Sequence, residues 1–291
     1  MLREGSIIEY TEEVAGEIAY QHADDPVGEL TLWLRLAHQR EAMVTQLYEL
    51  AGFEARLAAE PPGSVGGVIA SVVRGIWAHE RSHTEFLASI RDGGDSWRAL
   101  AELQGLVEGW VVKRALHGSA GGRLLIAVGA SIGKVPAFAR DLNQMSLLEL
   151  LSFSAELETT ARMGYQRILQ IASRLTDRKA AAEAFGFTFQ YDVARIEREE
   201  TFHEQSFFEM KRWLGEGGAV SAAPSAESCV AALHRLCAQN LSAGAVRRAA
   251  GTLPGLEVHL PADERVWVSD GGLGAVFSAA GLPVPLAEHR P

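Results

Sequence analysis

Two segments with helical periodicity each place a glutamate and a histidine, three residues apart, on an otherwise apolar face. One pair is Glu200 and His203, in EETFHEQSFF (199–208), and the other is Glu80 and His83, in IWAHERSHTEFL (76–87). Residues three or four apart share a face of a helix. The remaining positions of the two faces are Phe189, Val193, Ile196, Phe207, Met210 and Leu214, and Ile69, Val73, Ile76, Leu87 and Ile90. Ionisable side chains are rarely buried without a partner, so these pairs restrict the fold strongly.

Other ionisable residues in the two motifs fall on different faces of the same helices. Glu199 falls on the face of Asp192, Arg195 and Ser206, which its polarity predicts to be exposed to solvent. His79 and Glu204 also lie off the apolar faces, so the helical spacing predicts that they are solvated.

Two further helical segments each place one glutamate on an apolar face. Glu41 lies among Leu34, Ala37, Val44, Tyr48 and Ala51, and Glu158 lies among Leu151, Ala155, Ala161, Tyr165, Ile168 and Ala172. The neighbouring Glu156 falls instead on a polar face, with Glu149, Ser152, Thr160 and Arg167. Glu158 is therefore the better candidate for a buried acid.

The four segments form a two-fold repeat. EAMVTQLY (41–48) corresponds to ETTARMGY (158–165), with a tyrosine seven residues after each glutamate, and HERSHTEF (79–86) corresponds to EETFHEQS (199–206). The lone glutamate precedes the paired one by 80 − 41 = 39 residues in one half and by 200 − 158 = 42 in the other. Two packed helical hairpins would bring the four glutamates and two histidines together.

Such a cluster requires bound cations. Four buried carboxylates would be too costly to desolvate without counter-charges. Two divalent cations would cancel the four negative charges and use both imidazoles as neutral ligands. Carboxylate and imidazole ligands suit iron or manganese, and the lack of thiolates disfavours structural zinc.

With these six positions the chain resembles the ferritin-like di-iron carboxylate superfamily, which includes ferritins, rubrerythrins and bacterial di-iron oxygenases. The resemblance covers about residues 28–214, without the connection 92–143. It implies two Fe ions, with Mn or a mixed Fe/Mn pair as alternatives. It implies terminal ligands Glu41 and Glu158, bridging ligands Glu80 and Glu200, and one histidine at each metal, His83 and His203. Tyr48 and Tyr165 would lie near the cluster, where core packing is the simpler role for each.

The expected fold is all-α: a ferritin-like four-helix bundle with one long crossover connection, plus a small C-terminal α+β appendage. Its four long helices are expected at 27–51, 65–90, 145–175 and 185–214. The bundle domain spans 1–214 and includes a long crossover insertion at 92–143, with a helix at 96–116. A linker is expected at 215–228 and the appendage at 229–291, with a helix at about 228–250 and strand-like runs at 256–260 and 265–269.

Composition narrows the functional classes. A net charge of −10 disfavours binding to nucleic acid or to an anionic membrane. The apolar runs at 65–73 and 124–133 are too short to span a bilayer. Two cysteines, Cys229 and Cys237, form neither a disulfide framework nor a CxxC motif. Together with an acidic N-terminus that lacks an apolar signal core, they favour the cytoplasm.

One motif points to a different chemistry. Residues 129–133, GASIG, fit the G-x-S-x-G pattern that places a nucleophilic serine, here Ser131, at a strand-to-helix turn. That turn requires a parallel sheet, whereas two long helices follow here. A serine hydrolase is therefore disfavoured.

The leading functional expectation is an O2-activating di-iron oxidase or oxygenase that acts on a small organic substrate. By the resemblance, a storage-type cage fits poorly with the insertion and the C-terminal extension. Complete rubrerythrins carry a rubredoxin module with paired CxxC motifs, which this sequence lacks, so the resemblance implies that electrons come from an external donor or from the substrate. The alternatives are a ferroxidase or peroxide-scavenging ferritin-like protein, and a helical interaction module without metal. A homodimer through helix faces is the expected assembly.

Overall fold

A computed structural model of the chain describes residues 25–90, 144–175, 189–215 and 224–245, apart from 51, 59, 62 and 242–244. Within these ranges the secondary structure is helical and contains no strand. The helices are α1 (Pro26–Leu50), α2 (Phe53–Leu57), α3 (Val65–Ser89), α4 (Leu147–Arg174), α5 (Phe189–Trp213) and α6 (Ala226–Asn240). This part of the chain confirms the all-α class.

Several expectations lie outside the described residues. These are the whole insertion 92–143, which includes Ser131 and its motif, and the strand-like runs of the appendage. The β part of the appendage therefore has no structural support, and the domain boundaries stay a prediction. α6 lies across the boundary expected at 228–229 and packs on α5 and α3.

Serine caps fix the starts of three helices. Ser146 accepts a hydrogen bond from the Glu149 amide, and the Glu149 carboxylate accepts one from the Ser146 amide, so that α4 begins with a capping box. Ser64 and Ser225 cap α3 and α6 through the side chain alone, which accepts a hydrogen bond from the amide of Gly67 or of Ser228. These caps place the helix starts within two residues of those that the periodicity predicts.

The four long helices pack as neighbours in a closed order: α1 packs on α3 and α4, and α5 packs on α4 and α3. Their buried side chains form two apolar layers. Layer A contains Val44 and Tyr48 of α1, Ile69, Val73 and Ile76 of α3, Leu150, Leu151 and Ala155 of α4, and Phe207, Met210 and Trp213 of α5. Layer B contains Leu30, Leu34 and Ala37 of α1, Leu87 of α3, Tyr165, Ile168 and Ala172 of α4, and Phe189, Val193 and Ile196 of α5.

The layers also give the helix directions. α1 and α5 run from layer B to layer A, whereas α3 and α4 run from layer A to layer B. Residues 91–143 therefore connect the layer-B end of α3 to the layer-A end of α4. Each predicted acid or histidine lies in sequence between the segments that supply the two layers, so the apolar layers enclose a polar layer.

None of the helices in the described parts of the chain combines the length and apolar character needed to cross a membrane.

Candidate metal centre

All six predicted ligand residues lie in the polar layer, and each is at most 1% exposed. They are Glu41 of α1, Glu80 and His83 of α3, Glu158 of α4, and Glu200 and His203 of α5. Layers A and B exclude water from above and below, and the four helices exclude it from the sides. The structure thus brings together every residue that the helical spacing selected.

The six residues form two overlapping groups. One consists of Glu41, Glu80, His83 and Glu200, and the other of Glu80, Glu158, Glu200 and His203. Within each group the potential ligand atoms lie within 4.8 Å of one another. Glu80 and Glu200 belong to both groups, as bridging carboxylates between two ions would.

The distances within the two groups are nearly equal. His83 Nδ1 lies 2.9 Å from Glu200 Oε1 and 3.7 Å from Glu41 Oε2. In the other group, His203 Nδ1 lies 2.9 Å from Glu80 Oε1 and 3.5 Å from Glu158 Oε2. The two-fold repeat of the sequence is therefore also a geometric repeat, in which each histidine faces the bridging glutamate of the opposite helix.

Buried polar atoms without hydrogen bonds converge on this cluster. They are Glu41 Oε2, Glu80 Oε1, His83 Nδ1, both oxygens of Glu200 and His203 Nδ1. Such atoms are rare in proteins because each loses its interaction with water. Ligands about 2.1 Å from a metal in octahedral geometry lie roughly 3.0 to 4.2 Å apart, and the distances above fall close to this range. The residues therefore fit a metal-binding site.

The electrostatics of the cluster favour cations. Burial and the neighbouring carboxylates raise the pKa of Glu80 and of Glu200 well above the ordinary value of a glutamate. Burial also opposes protonation of His83, but the carboxylates of Glu199, Glu200 and Glu41 outweigh it and raise the pKa of this histidine. Without metal the cluster therefore holds protons that bound cations would displace.

Two tyrosines connect the halves of the site. The Tyr48 hydroxyl on α1 donates to Glu158 on α4, and the Tyr165 hydroxyl on α4 donates to Glu41 on α1, at 2.9 Å. Burial and the adjacent carboxylates raise the pKa of both phenols, so they stay protonated and act as donors. Each tyrosine orients the lone glutamate of the opposite half.

Among the residues that the structure describes, Arg40 is an additional contact of Glu41 in one half of the cluster. Its NH2 group donates to Glu41 Oε1 at 2.9 Å, and its NH1 group donates to the Thr160 carbonyl at 2.9 Å. Burial disfavours the ionised Glu41, yet a hydrogen bond with Glu80 and the charge of Arg40 hold the pKa of Glu41 well below its ordinary value. Gly164 leaves room for the guanidinium, since a Cβ there would lie 3.0 Å from Arg40 NH1.

The prediction that Glu199 and His79 are solvated is wrong. Glu199 is 4% exposed and His79 is fully buried. Glu199 Oε2 lies 2.7 Å from His83 Nε2, and His79 Nδ1 lies 2.9 Å from His203 Nε2. Both residues immediately precede the glutamate of a pair, and that equivalence in the repeat was the signal available in the sequence.

The reason for the error is that side chains of α3 and α5 make hydrogen-bond contacts across the cluster. A single-helix projection ranks faces by polarity, but a facing helix can bury a polar side chain if it supplies a hydrogen-bond partner. Thr160 and Ser206, which were also placed on polar faces, are buried as well, whereas Leu214 on the apolar face is 39% exposed at the end of α5. Glu204 lies outside the cluster, where its carboxylate pairs with Arg162 and accepts from Thr159.

A cavity of about 190 Å³ lies beside the cluster, between α1, α2 and α3. Its lining includes Tyr48, Phe53, Leu57, Val73, Arg74 and Trp77. Tyr48 both lines the cavity and contacts Glu158, so the cavity and the cluster share this side chain.

Comparison of the chain with protein-family models, with curated proteins and with solved structures finds no match. What supports a function is therefore the geometry of the cluster and its surroundings. Those observations identify buried glutamates and histidines that could hold metal.

Proposed function

We propose that the protein is an O2-activating di-iron oxidase or oxygenase, built on a ferritin-like four-helix bundle and acting on a small organic substrate. The observation that carries the proposal is the pair of ligand groups sharing Glu80 and Glu200. The helix directions support the fold, because a bundle with one long crossover connects its second helix to its third in this way.

In the proposed site, Glu41 and His83 would hold one metal ion and Glu158 and His203 the other, and Glu80 and Glu200 would be shared by both. Manganese, or one ion of each element, would suit the same ligand types. Bound reduced iron would supply electrons for the reduction of dioxygen, and an external donor would replace those electrons.

The chain's own residues prepare the site for this chemistry. Each histidine offers Nδ1 to the cluster because its Nε2 proton is held by Glu199 or His79. Tyr48 and Tyr165 hold Glu158 and Glu41, so that one oxygen of each carboxylate is left for a metal. Layers A and B keep bulk water away, which strengthens every charge interaction inside.

The cavity beside Tyr48 favours an organic molecule over ferrous iron as the substrate. A space lined mainly by aromatic and aliphatic side chains suits a small apolar molecule, whereas ferrous ions entering a ferroxidase need polar oxygen ligands along their path. Tyr48 would lie between that molecule and Glu158.

Anaerobic loading with Fe(II), followed by exposure to O2, tests the proposal. We expect two iron ions per chain, and O2 consumption that depends on a reductant and an organic substrate. Failure to bind iron would contradict both iron functions and favour a helical interaction module. Iron turnover into a mineral without organic product would favour a ferroxidase.

The ligand assignment is tested by Glu200→Gln and His203→Ala, which should abolish iron binding at one or both positions. Glu204→Gln is the matched control, because it changes the same residue type on α5 outside the cluster. Full iron binding by the Glu200→Gln variant would show that the assignment is wrong.

A further inference from the structure

The two halves of the cluster differ at the outer nitrogen of each imidazole. His83 Nε2 contacts the carboxylate of Glu199 at 2.7 Å, whereas His203 Nε2 contacts Nδ1 of His79 at 2.9 Å. Glu199 and His79 occupy equivalent positions of the repeat, each one residue before a bridging glutamate. Next to the outer nitrogen, the half that contains His83 therefore has a carboxylate, whereas the half that contains His203 has an imidazole.

The role of each contact follows from the tautomer. Nδ1 of both His83 and His203 faces the carboxylates and must present a lone pair to bind a cation. The proton therefore resides on Nε2, which donates to Glu199 in one half and to His79 in the other. An anionic acceptor draws this proton more strongly than a neutral imidazole does, and so makes the imidazole ligand more basic.

Glu199 is held as an anion. Arg195 NH1 lies 2.9 Å from Glu199 Oε1 and 3.2 Å from its Oε2. A guanidinium this close to both oxygens pairs with an ionised carboxylate. The acceptor behind His83 is thus charged, and its own second oxygen is already occupied by Arg195.

We propose that the cluster forms two unequal metal sites, in which residues 199 and 79 set the strength of the histidine ligand. The imidazole of His83 is the stronger donor and that of His203 the weaker. This inference rests on the proposed metal binding and goes beyond it, because it assigns positioning roles to two residues that bind no metal. Its consequence is that the sites fill separately and can hold two different divalent ions.

Arg40 adds a second difference, on the carboxylate ligand of the His83 half. Its guanidinium takes one oxygen of Glu41 and reduces the negative charge there. Both lone glutamates also accept from a tyrosine hydroxyl, so the guanidinium at Glu41 comes in addition. Arg40 weakens a ligand of the half that Glu199 strengthens, and substitution of residue 199 or residue 79 changes the histidine part of the inequality alone.

The test is titration of the metal-free full-length protein with Co(II), followed by visible absorption and by calorimetry. The wild type should show two binding events with different spectra. Glu199→Gln keeps an oxygen acceptor and removes the charge, so the event assigned to His83 should weaken by about 10- to 100-fold. His79→Leu removes the other acceptor and should weaken the other event.

Two further variants complete the design. His79→Gln restores a neutral acceptor and should return the second event close to its wild-type affinity, whereas His79→Glu places an anion behind His203 and should strengthen it. Glu204→Gln should change neither event. Far-UV circular dichroism checks the fold of each variant, and the near-isosteric Glu199→Gln tests the idea even if His79→Leu does not fold.

The outcomes separate the two proposals. If the wild type binds no Co(II), the proposed function fails. If it binds two ions with one affinity and one spectrum, or if Glu199→Gln and His79→Leu alter the same event or none, metal binding stands and the inequality is overturned.

Discussion

At the scale of single residues, the cluster is arranged for metal at the expense of the metal-free fold. Glu80 and Glu200 are buried beside other carboxylates, and their raised pKa values show that ionising them there is unfavourable. A raised carboxyl pKa means that the folded state binds a proton that the unfolded chain releases at neutral pH. The group therefore lowers stability once the pH exceeds the unfolded pKa.

Glu200→Gln should consequently stabilise the metal-free protein at pH 7, by about 1–3 kcal/mol, since a neutral amide imitates the protonated acid. The same variant should bind metal poorly. Urea denaturation in the presence of chelator measures the first effect. The control Glu204→Gln should be neutral or slightly destabilising because it breaks the pair with Arg162. A destabilised Glu200→Gln variant would indicate that this acid has a structural role.

Tyr48→Phe and Tyr165→Phe should each weaken metal binding in the half of the cluster that does not contain the substituted residue. Because Tyr48 orients Glu158 and Tyr165 orients Glu41, each substitution should weaken the metal on the opposite half of the repeat, by about 10-fold or more. The effect of Tyr165→Phe should be the smaller one, because Arg40 still holds Glu41. Co(II) spectra of the two variants measure this. Equal losses at both metals would contradict the crossed arrangement.

At the scale of helices, the capping residue determines where α4 begins and how its first amides are satisfied. Successive residues of a helix are rotated by about 100°, so a helix that began one residue later would keep the directions of its remaining side chains. The amides of its first turn, however, would lose their hydrogen-bond acceptors. The capping box of Ser146 and Glu149 satisfies those amides at the start of α4, twelve residues before Glu158 (158 − 146 = 12).

Ser146→Ala should therefore destabilise the protein by about 1 kcal/mol, with fraying of the first turn of α4. Thermal unfolding measures the loss. Ser152→Ala is the matched control, since this serine lies inside the same helix and alanine favours helix there. Metal binding should persist in both variants, because Glu158 is three turns away. Loss of metal in Ser146→Ala alone would show that the cap also positions the site.

At the scale of the whole molecule, the polar layer between layers A and B connects folding to metal binding. Metal that binds only the folded chain stabilises it by mass action, by about 2.7 kcal/mol at a free concentration 100 times the dissociation constant. This stabilisation would extend to all four long helices, because each of them supplies a carboxylate to the cluster.

Adding Mn(II) or Fe(II) to the metal-free protein should raise its melting temperature, and a chelator should reverse the change. The metal-bound state holds fewer protons, since the raised pKa values of Glu80, Glu200 and His83 keep protons in the empty cluster. Affinity should therefore rise with pH below those pKa values. Calorimetry in two buffers of different ionisation enthalpy would detect the released protons, and binding without proton release would contradict these pKa shifts.

The sequence by itself determined the helices and the members of the cluster. Apolar periodicity placed all four long helices to within a few residues, and interruption of an apolar face by an acid or a histidine selected the six residues that converge. It could do so because side-chain direction in a helix follows from the backbone repeat alone. The two-fold repeat also indicated that Glu41 and Glu158, and not Glu156, belong with the two pairs.

Only the tertiary structure decided which residues contact those six. Glu199 and His79 occupy positions that a single-helix projection leaves polar and solvated. Their burial depends on which residues of the neighbouring helix face them, and on the 2.7–2.9 Å contacts that compensate for lost water. Such contacts join residues over 100 positions apart, so they cannot be predicted from local spacing. The repeat and the identities of residues 79 and 199 are thus properties of the sequence, and only packing decides that these two residues contact the histidines.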